Sequence, residues 1–97
     1  MSVVRRARAL GLRIEVADLG DWSSRAPLAE YDAAARVVRV SERRLREMSG
    51  AARRRFLVEA IAHELYHHLE CIGEVARIRD RARREEAARR FAREAIS

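Results

Sequence analysis

Two histidines and a glutamate occupy neighbouring positions near the middle of the chain, in the order His63-Glu64-Leu65-Tyr66-His67. Four residues advance an α-helix by slightly more than one turn, so His63 and His67 project from the same face. Two imidazoles at that spacing can bind one metal ion, and Glu64 then lies beside the water that the metal activates. The pattern H-E-x-x-H therefore predicts a zinc site with its own general base.

The residues around this motif favour a helix. Apolar side chains recur every four positions between residues 51 and 72, at Leu57, Ile61, Leu65 and Leu69. This is the periodicity of an amphipathic helix that packs against a core. At about 100° per residue, the two histidines fall on the opposite side of the helix, above Phe56 and Ala60. The alternative interpretation, two surface histidines on an ordinary amphipathic helix, stays open on these residues alone.

A catalytic zinc site of this type needs a third protein ligand. The metzincin pattern is excluded, because it requires a glycine and a histidine where this chain has Glu70 and Gly73. The carboxylates that remain as candidates are Glu70, Glu74, Glu85 and Glu86. Glu70 only continues the line of the same helix, so a ligand from another helix suits tetrahedral geometry better.

Helical periodicity separates Glu85 from Glu86. A small apolar stripe follows them, at Ala88, Phe91, Ala92 and Ala95. Glu85 falls at the edge of this stripe, whereas Glu86 points about 100° further round, towards arginines. We therefore expect Glu85 to be the third metal ligand and Glu86 to form ion pairs on a solvated face. The alternative is that both glutamates pair with arginines three or four positions away.

At this point the chain resembles the ImmA/IrrE family of metallopeptidases. The motif H-E-L-x-H-H is followed by E-x-x-A-x-x-F-A at residues 85–92, as in that family. Three earlier segments, residues 9–16, 29–32 and 36–41, are similar to the family's helix, strand and hairpin before the active-site helix. The resemblance covers nearly the whole chain.

The resemblance implies His63 and His67 as zinc ligands, Glu64 as the catalytic acid/base and Glu85 as the third ligand. It also implies an endopeptidase that cuts repressors with helix-turn-helix domains, in mobile-element control or stress responses.

The chain departs from the family's usual pattern at two positions. Tyr66 stands where the family usually has glycine, and Arg89 where it usually has asparagine. Neither departure removes a ligand or the base.

The length of 97 residues predicts one small domain, residues 1–97. Its single cysteine, Cys71, rules out an internal disulfide and suits a reducing compartment. We expect Cys71 to be a small buried residue, with metal ligation as a minor alternative. No segment is typical of a signal peptide or a membrane span, which predicts a cytoplasmic protein.

The net charge of +6 comes from 21 arginines without a single lysine. Runs at residues 53–55 and 77–93 could form a basic surface for nucleic acid. The chain has few aromatic residues, however, and so offers no stacking platform for single strands. We therefore expect a solvated, salt-bridged face; an acidic protein partner would suit the same charge.

The remaining pattern predicts the elements that position the motif. Before the motif these are a helix over 3–10 ended by Gly11, a strand over 12–16, and a loop over 17–27 whose Trp22 covers the core. A hairpin of 28–32 with 37–40 follows, and then a helix that runs from its N-cap Ser41 to Met48 and is stopped by Gly50. After the long helix, an irregular or tilted segment within 72–80 leads to a last helix, for which Asp80 is the expected cap.

Together these patterns predict an α+β, zincin-like fold, in which a small antiparallel sheet packs on the H-E-x-x-H helix and a following helix carries the third ligand. The predicted function is a zinc endopeptidase, with manganese or iron as possible replacements for zinc. The strand at 29–32 could hold an extended peptide by strand addition. The alternatives are a catalytically silent regulatory or interaction module and a DNA-binding accessory protein.

Overall fold

Helices and strands are mixed along the chain in the computed structural model, which describes residues 2–19 and 29–96. Their order is α1 (Val3–Ala9), β1 (Arg13–Ala17), β2 (Ala29–Asp32), β3 (Val37–Ser41), α2 (Glu42–Arg46), α3 (Gly50–Cys71) and α4 (Arg81–Ile96). The chain is thus an α+β protein, as predicted. Trp22 and most of the predicted loop lie outside the described residues.

The three strands form a mixed sheet in the order β1-β3-β2. β2 is antiparallel to β3, as the predicted hairpin requires, but β1 is parallel to β3. The prediction of a purely antiparallel sheet is therefore wrong. The reason lies in β3, where Val37, Val38 and Val40 are all fully buried. β3 is therefore buried on both of its faces, as is typical of a central strand, and β1, which has the same direction, pairs along its other edge.

The hairpin between β2 and β3 turns without a glycine. Arg36 supplies the left-handed backbone conformation instead, with φ of 54°. The carboxylate of Asp32 stabilises the turn, because its Oδ1 accepts a hydrogen bond from the backbone N–H of Ala35 at 3.0 Å. The hairpin therefore lies where the sequence predicts it.

Serine side chains cap the two short helices. Ser2 Oγ accepts from the N–H of Arg5 at 3.1 Å, and Ser41 Oγ accepts from the N–H of Arg44 at 3.3 Å. Helix α2 ends at Arg46 and is two residues shorter than predicted. Gly50 has the expected positive φ of 57°, but it is the first residue of α3 and does not stop α2.

Helix α3 is the centre of the fold, in contact with α1, α4, β2 and β3. Three residues of the predicted stripe, Ile61, Leu65 and Leu69, are at most 3% exposed and pack with Val38 and Val40. On β1 the predicted alternation fails at its end, because Val16 is 56% exposed. The main core therefore lies between α3 and the sheet, away from the two histidines.

A non-helical segment separates α3 from α4 and determines where α4 starts relative to α3. Gly73, with φ of 81°, lets the N–H of Glu74 return to the carbonyl of Leu69 at 2.9 Å, which closes the end of α3. Asp80 then caps α4, because its Oδ1 accepts from the N–H of Arg83 at 3.1 Å. The predicted irregular segment within 72–80 and the late start of the last helix are confirmed. Glu85 consequently lies only about 6 Å along α4 from its first residue.

Candidate metal centre

Side chains from α3 and α4 converge where the H-E-x-x-H motif faces the last helix. His63 Nε2 lies 3.1 Å from Glu85 Oε2, and His67 Nε2 lies 3.3 Å from Glu85 Oε1. One ligand atom from each of the three residues falls within 4.8 Å of the other two. Tetrahedral zinc with bonds of about 2.0 Å separates its ligand atoms by about 3.3 Å. Two imidazoles and a carboxylate at these distances could hold a metal ion.

The surroundings of His63 favour its neutral form. Burial lowers the pKa of His63, and the neighbouring His67 lowers it further, while Glu85 opposes both effects. A lowered pKa favours the neutral imidazole, whose free nitrogen lone pair is what binds a metal.

Glu64 lies beside this cluster and lines the same groove. Burial, and then the negative charges of Glu85 and Glu30, raise its pKa to about 7. A carboxyl with that pKa exchanges protons near neutral pH, which suits a general base that must also release its proton.

Glu70 acts on the opposite side of His67 from the cluster. Its Oε1 lies 3.2 Å from His67 Nδ1, and its side chain is 6% exposed. Its Oε2 accepts from the N–H of Ile78 at 3.4 Å and lies 3.6 Å from Arg84 Nε. Glu70 thus orients the ring so that Nε2 points to the cluster, the arrangement common for metal-bound histidines.

The sequence pattern suggests Glu70 only as a possible metal ligand, and this orienting contact was not predicted. The signal was present, because residues three apart on a helix can contact each other. Arg84 could not be found in the same way, since its contact with Glu70 depends on how α4 crosses α3.

Glu86 faces away from the cluster, as helical periodicity predicts. Its carboxylate lies 3.6 Å from Arg89 Nε and 3.3 Å from Arg93 Nη2. Of the two adjacent glutamates, the structure therefore brings only Glu85 to the histidines.

Cys71 is exposed, so the prediction that it is buried is wrong. It lies two residues beyond Leu69, or about 200° around the helix from the buried stripe. Cys71 does not belong to the metal cluster found among the described residues. Its neighbour is Tyr31, whose pKa is raised to about 12 by burial and then by a hydrogen bond with the Cys71 side chain.

His68, the third histidine of the motif region, is fully buried and ties α3 to two other elements. Its Nε2 lies 3.1 Å from the carbonyl oxygen of Leu10, and its Nδ1 lies 2.7 Å from Tyr31 Oη. A carbonyl can only accept, so Nε2 carries the hydrogen and donates it, while Nδ1 can accept from the tyrosine hydroxyl. His68 therefore fixes β2 and the end of α1 against the helix that carries the cluster.

The cluster opens into a surface groove of about 670 Å³. The described residues that line it are Ala29, Phe56, Glu59, Ala60, His63, Glu64, Arg81, Glu85 and Arg89. Tyr66 is not among them, because it is 8% exposed and its ring packs against Phe91 and His67. Of the two departures from the ImmA/IrrE pattern, only Arg89 reaches the groove.

Arginines from two parts of the chain stabilise the fold. Arg53 donates from Nε to the carbonyl oxygens of Leu45 and Met48, each at 3.1 Å, and so provides hydrogen-bond donors for carbonyls at the end of α2 and just beyond it. On the sheet, Arg39 pairs with Glu30 at 3.4 Å and with Asp32 at 3.3 Å. Within the predicted basic surface, Arg89 and Arg93 form ion pairs with Glu86.

Within the described part of the chain, no helix has the length and apolar character needed to cross a bilayer.

Comparisons of the chain with protein-family models, with curated proteins and with solved structures find no match.

Proposed function

We propose that this protein is a cytoplasmic, zinc-dependent endopeptidase of the ImmA/IrrE type, with a zincin-like fold. The observation that carries the proposal is the convergence of His63 Nε2, His67 Nε2 and the Glu85 carboxylate beside Glu64, at the base of an open groove. Three protein ligands and an open side are what distinguish catalytic zinc sites from closed structural ones.

Each residue has a separate role in this proposal. His63, His67 and Glu85 would hold the ion, and Glu70 keeps the ring of His67 in place through Nδ1. When bound, zinc polarises a carbonyl and makes water a nucleophile near neutral pH. Glu64 accepts the proton of the attacking water at its carboxylate and passes it to the leaving amine.

The position of β2 supports a polypeptide substrate. β2 is an outer strand of the sheet, and Ala29 at its start lines the groove. An outer strand can pair with an extended peptide through backbone hydrogen bonds, which would lay the peptide across the metal centre. By the resemblance to the ImmA/IrrE family, the substrate is a helix-turn-helix repressor.

The test is cleavage of candidate helix-turn-helix repressors by the zinc-loaded protein, with products identified by mass spectrometry. Glu64→Gln keeps the size of the side chain but removes its basicity, so turnover should fall by roughly 10² to 10⁴ while zinc stays bound. Glu86→Gln is the matched control and should cleave at the wild-type rate, because Glu86 faces away from the cluster.

Two results would contradict the proposal. If Glu64→Gln lost zinc as completely as His63→Ala, Glu64 would be a ligand and its role as base would be wrong. If the zinc-loaded protein bound repressors but left them intact, it would be a regulatory module.

A further inference from the structure

Two arginines of α4 line the groove beside the metal cluster. On α4, Arg81 lies about one turn before Glu85 and Arg89 about one turn after it, and all three residues line the groove. Across the groove, α3 contributes the apolar residues Phe56 and Ala60 together with one further acid, Glu59. The α3 side of the groove is therefore mainly apolar, and the α4 side carries two arginines.

The charge of Arg81 has no partner among the residues that the structure describes. Two other arginines of the same helix have partners: Arg84 contacts Glu70, and Arg93 pairs with Glu86 at 3.3 Å. Arg89 has only a loose contact, with its Nε 3.6 Å from Glu86 and its side chain 56% exposed. Exposed pairs of this kind contribute little, so Arg89 can exchange partners at small cost.

The acids of the groove do not cancel these two charges. Glu64 and Glu85 belong to the metal centre, where two positive charges of an ion would offset them. Glu59 is then the one described acid left to face Arg81 and Arg89, so the loaded groove carries a net positive charge. A groove with an excess of one sign of charge concentrates ligands of the other sign.

We propose that Arg81 and Arg89 bind a carboxylate of the polypeptide substrate within a few residues of the scissile bond. This inference rests on the proposed function, because it names the substrate class of the same groove. The carboxylate is either an aspartate or glutamate side chain within the chain or the free carboxyl terminus of the polypeptide. A guanidinium can bind either one through two parallel hydrogen bonds.

The first experiment uses the full zinc-loaded chain and a library of peptides with randomised positions, with cut sites read by mass spectrometry. Acidic residues should be enriched near the cut, by about two- to fivefold for each arginine, the range of an exposed ion pair. Higher salt should weaken the preference. A second library with amidated carboxyl termini separates the two sources, because a preference for the terminal carboxylate is lost on amidation.

Charge reversal identifies the residues that carry the preference. The double variant Arg81→Glu/Arg89→Glu should favour lysine and arginine near the cut. Arg83→Glu/Arg90→Glu is the matched control, because Arg83 and Arg90 are exposed on the same helix but are not among the described residues that line the groove. It makes the same change in net charge and should keep the acidic preference.

A binding readout separates this inference from the peptidase proposal. Zinc-loaded Glu64→Gln is titrated with fluorescent peptide pairs that differ only by aspartate and asparagine. Tighter binding of the aspartate peptide without cleavage by the wild type would support the carboxylate site and overturn the peptidase. Cleavage and binding with no preference for either carboxylate source, or a preference that the double variant keeps, would overturn the carboxylate site alone.

Discussion

Replacing Glu64 by glutamine should stabilise the metal-free protein at neutral and alkaline pH. The pKa of Glu64 is raised from 4.5 to about 7, first by burial and then by the charges of Glu85 and Glu30. The folded protein therefore holds this proton more tightly than the unfolded chain does. The resulting stability is fully present below about pH 4.5 and is lost as pH rises through 7. Glutamine has no proton to lose and avoids this cost.

The size of the effect follows from the two pKa values. Moving the pKa of one carboxyl from 4.5 to about 7 disfavours its ionised form by about 3 kcal/mol. The free energy of unfolding of Glu64→Gln relative to wild type should therefore increase by up to about 3 kcal/mol between about pH 5 and about pH 8.5. Metal must be absent, because a bound cation would favour the ionised form.

Urea unfolding followed by circular dichroism in chelating buffer measures this difference across the pH range. Glu59→Gln is the control, because Glu59 is an exposed glutamate on the same helix. This variant removes a charge that remains in water, so it supplies the baseline. If the pH dependence of the difference for Glu64→Gln does not exceed that baseline, the carboxyl is not desolvated in the folded protein and this prediction is wrong.

The remaining predictions concern the contacts that support the cluster. Tyr31→Phe leaves the buried Nδ1 of His68 without its donor and should lower the free energy of unfolding by about 1–3 kcal/mol in urea titrations; an unchanged value would contradict the hydrogen bond. Glu70→Gln weakens the hold on His67 Nδ1 and should reduce zinc affinity roughly 10- to 100-fold in competition titrations with a chelator, whereas wild-type affinity would show that Glu70 has no orienting role. Ala88→Leu adds volume at a fully buried site on α4 and should cost about 1–3 kcal/mol in thermal or urea unfolding, unless α4 can move away without loss.

Local sequence patterns predicted the parts of this fold that depend on neighbouring residues. The four-residue repeat located α3 to within a residue at each end, and Ser41 marked the start of α2. Periodicity also separated Glu85 from Glu86, because a helix fixes the angle between adjacent side chains. Each of these predictions needed only the geometry of one element.

The errors arose where elements from distant parts of the chain meet. The order and direction of the strands depend on how distant parts of the chain pack together. The alternating residues of β1 therefore could not reveal its parallel pairing with β3. Cys71 was assigned to the core by its residue type, although its position on α3 turns it outward. The contact of Arg84 with Glu70 joins two helices across a non-helical segment and has no spacing rule to predict it.

The central claim is that His63, His67 and Glu85 form one metal site, and zinc stoichiometry tests it most directly. Elemental analysis of protein purified without added metal, followed by zinc titration of the metal-free form, should give one zinc per chain. His63→Ala should abolish this binding, Glu85→Gln should weaken it, and Glu86→Gln should leave it unchanged. Protein that contains no metal and binds no zinc, or a loss of affinity in Glu86→Gln but not in Glu85→Gln, would contradict the site.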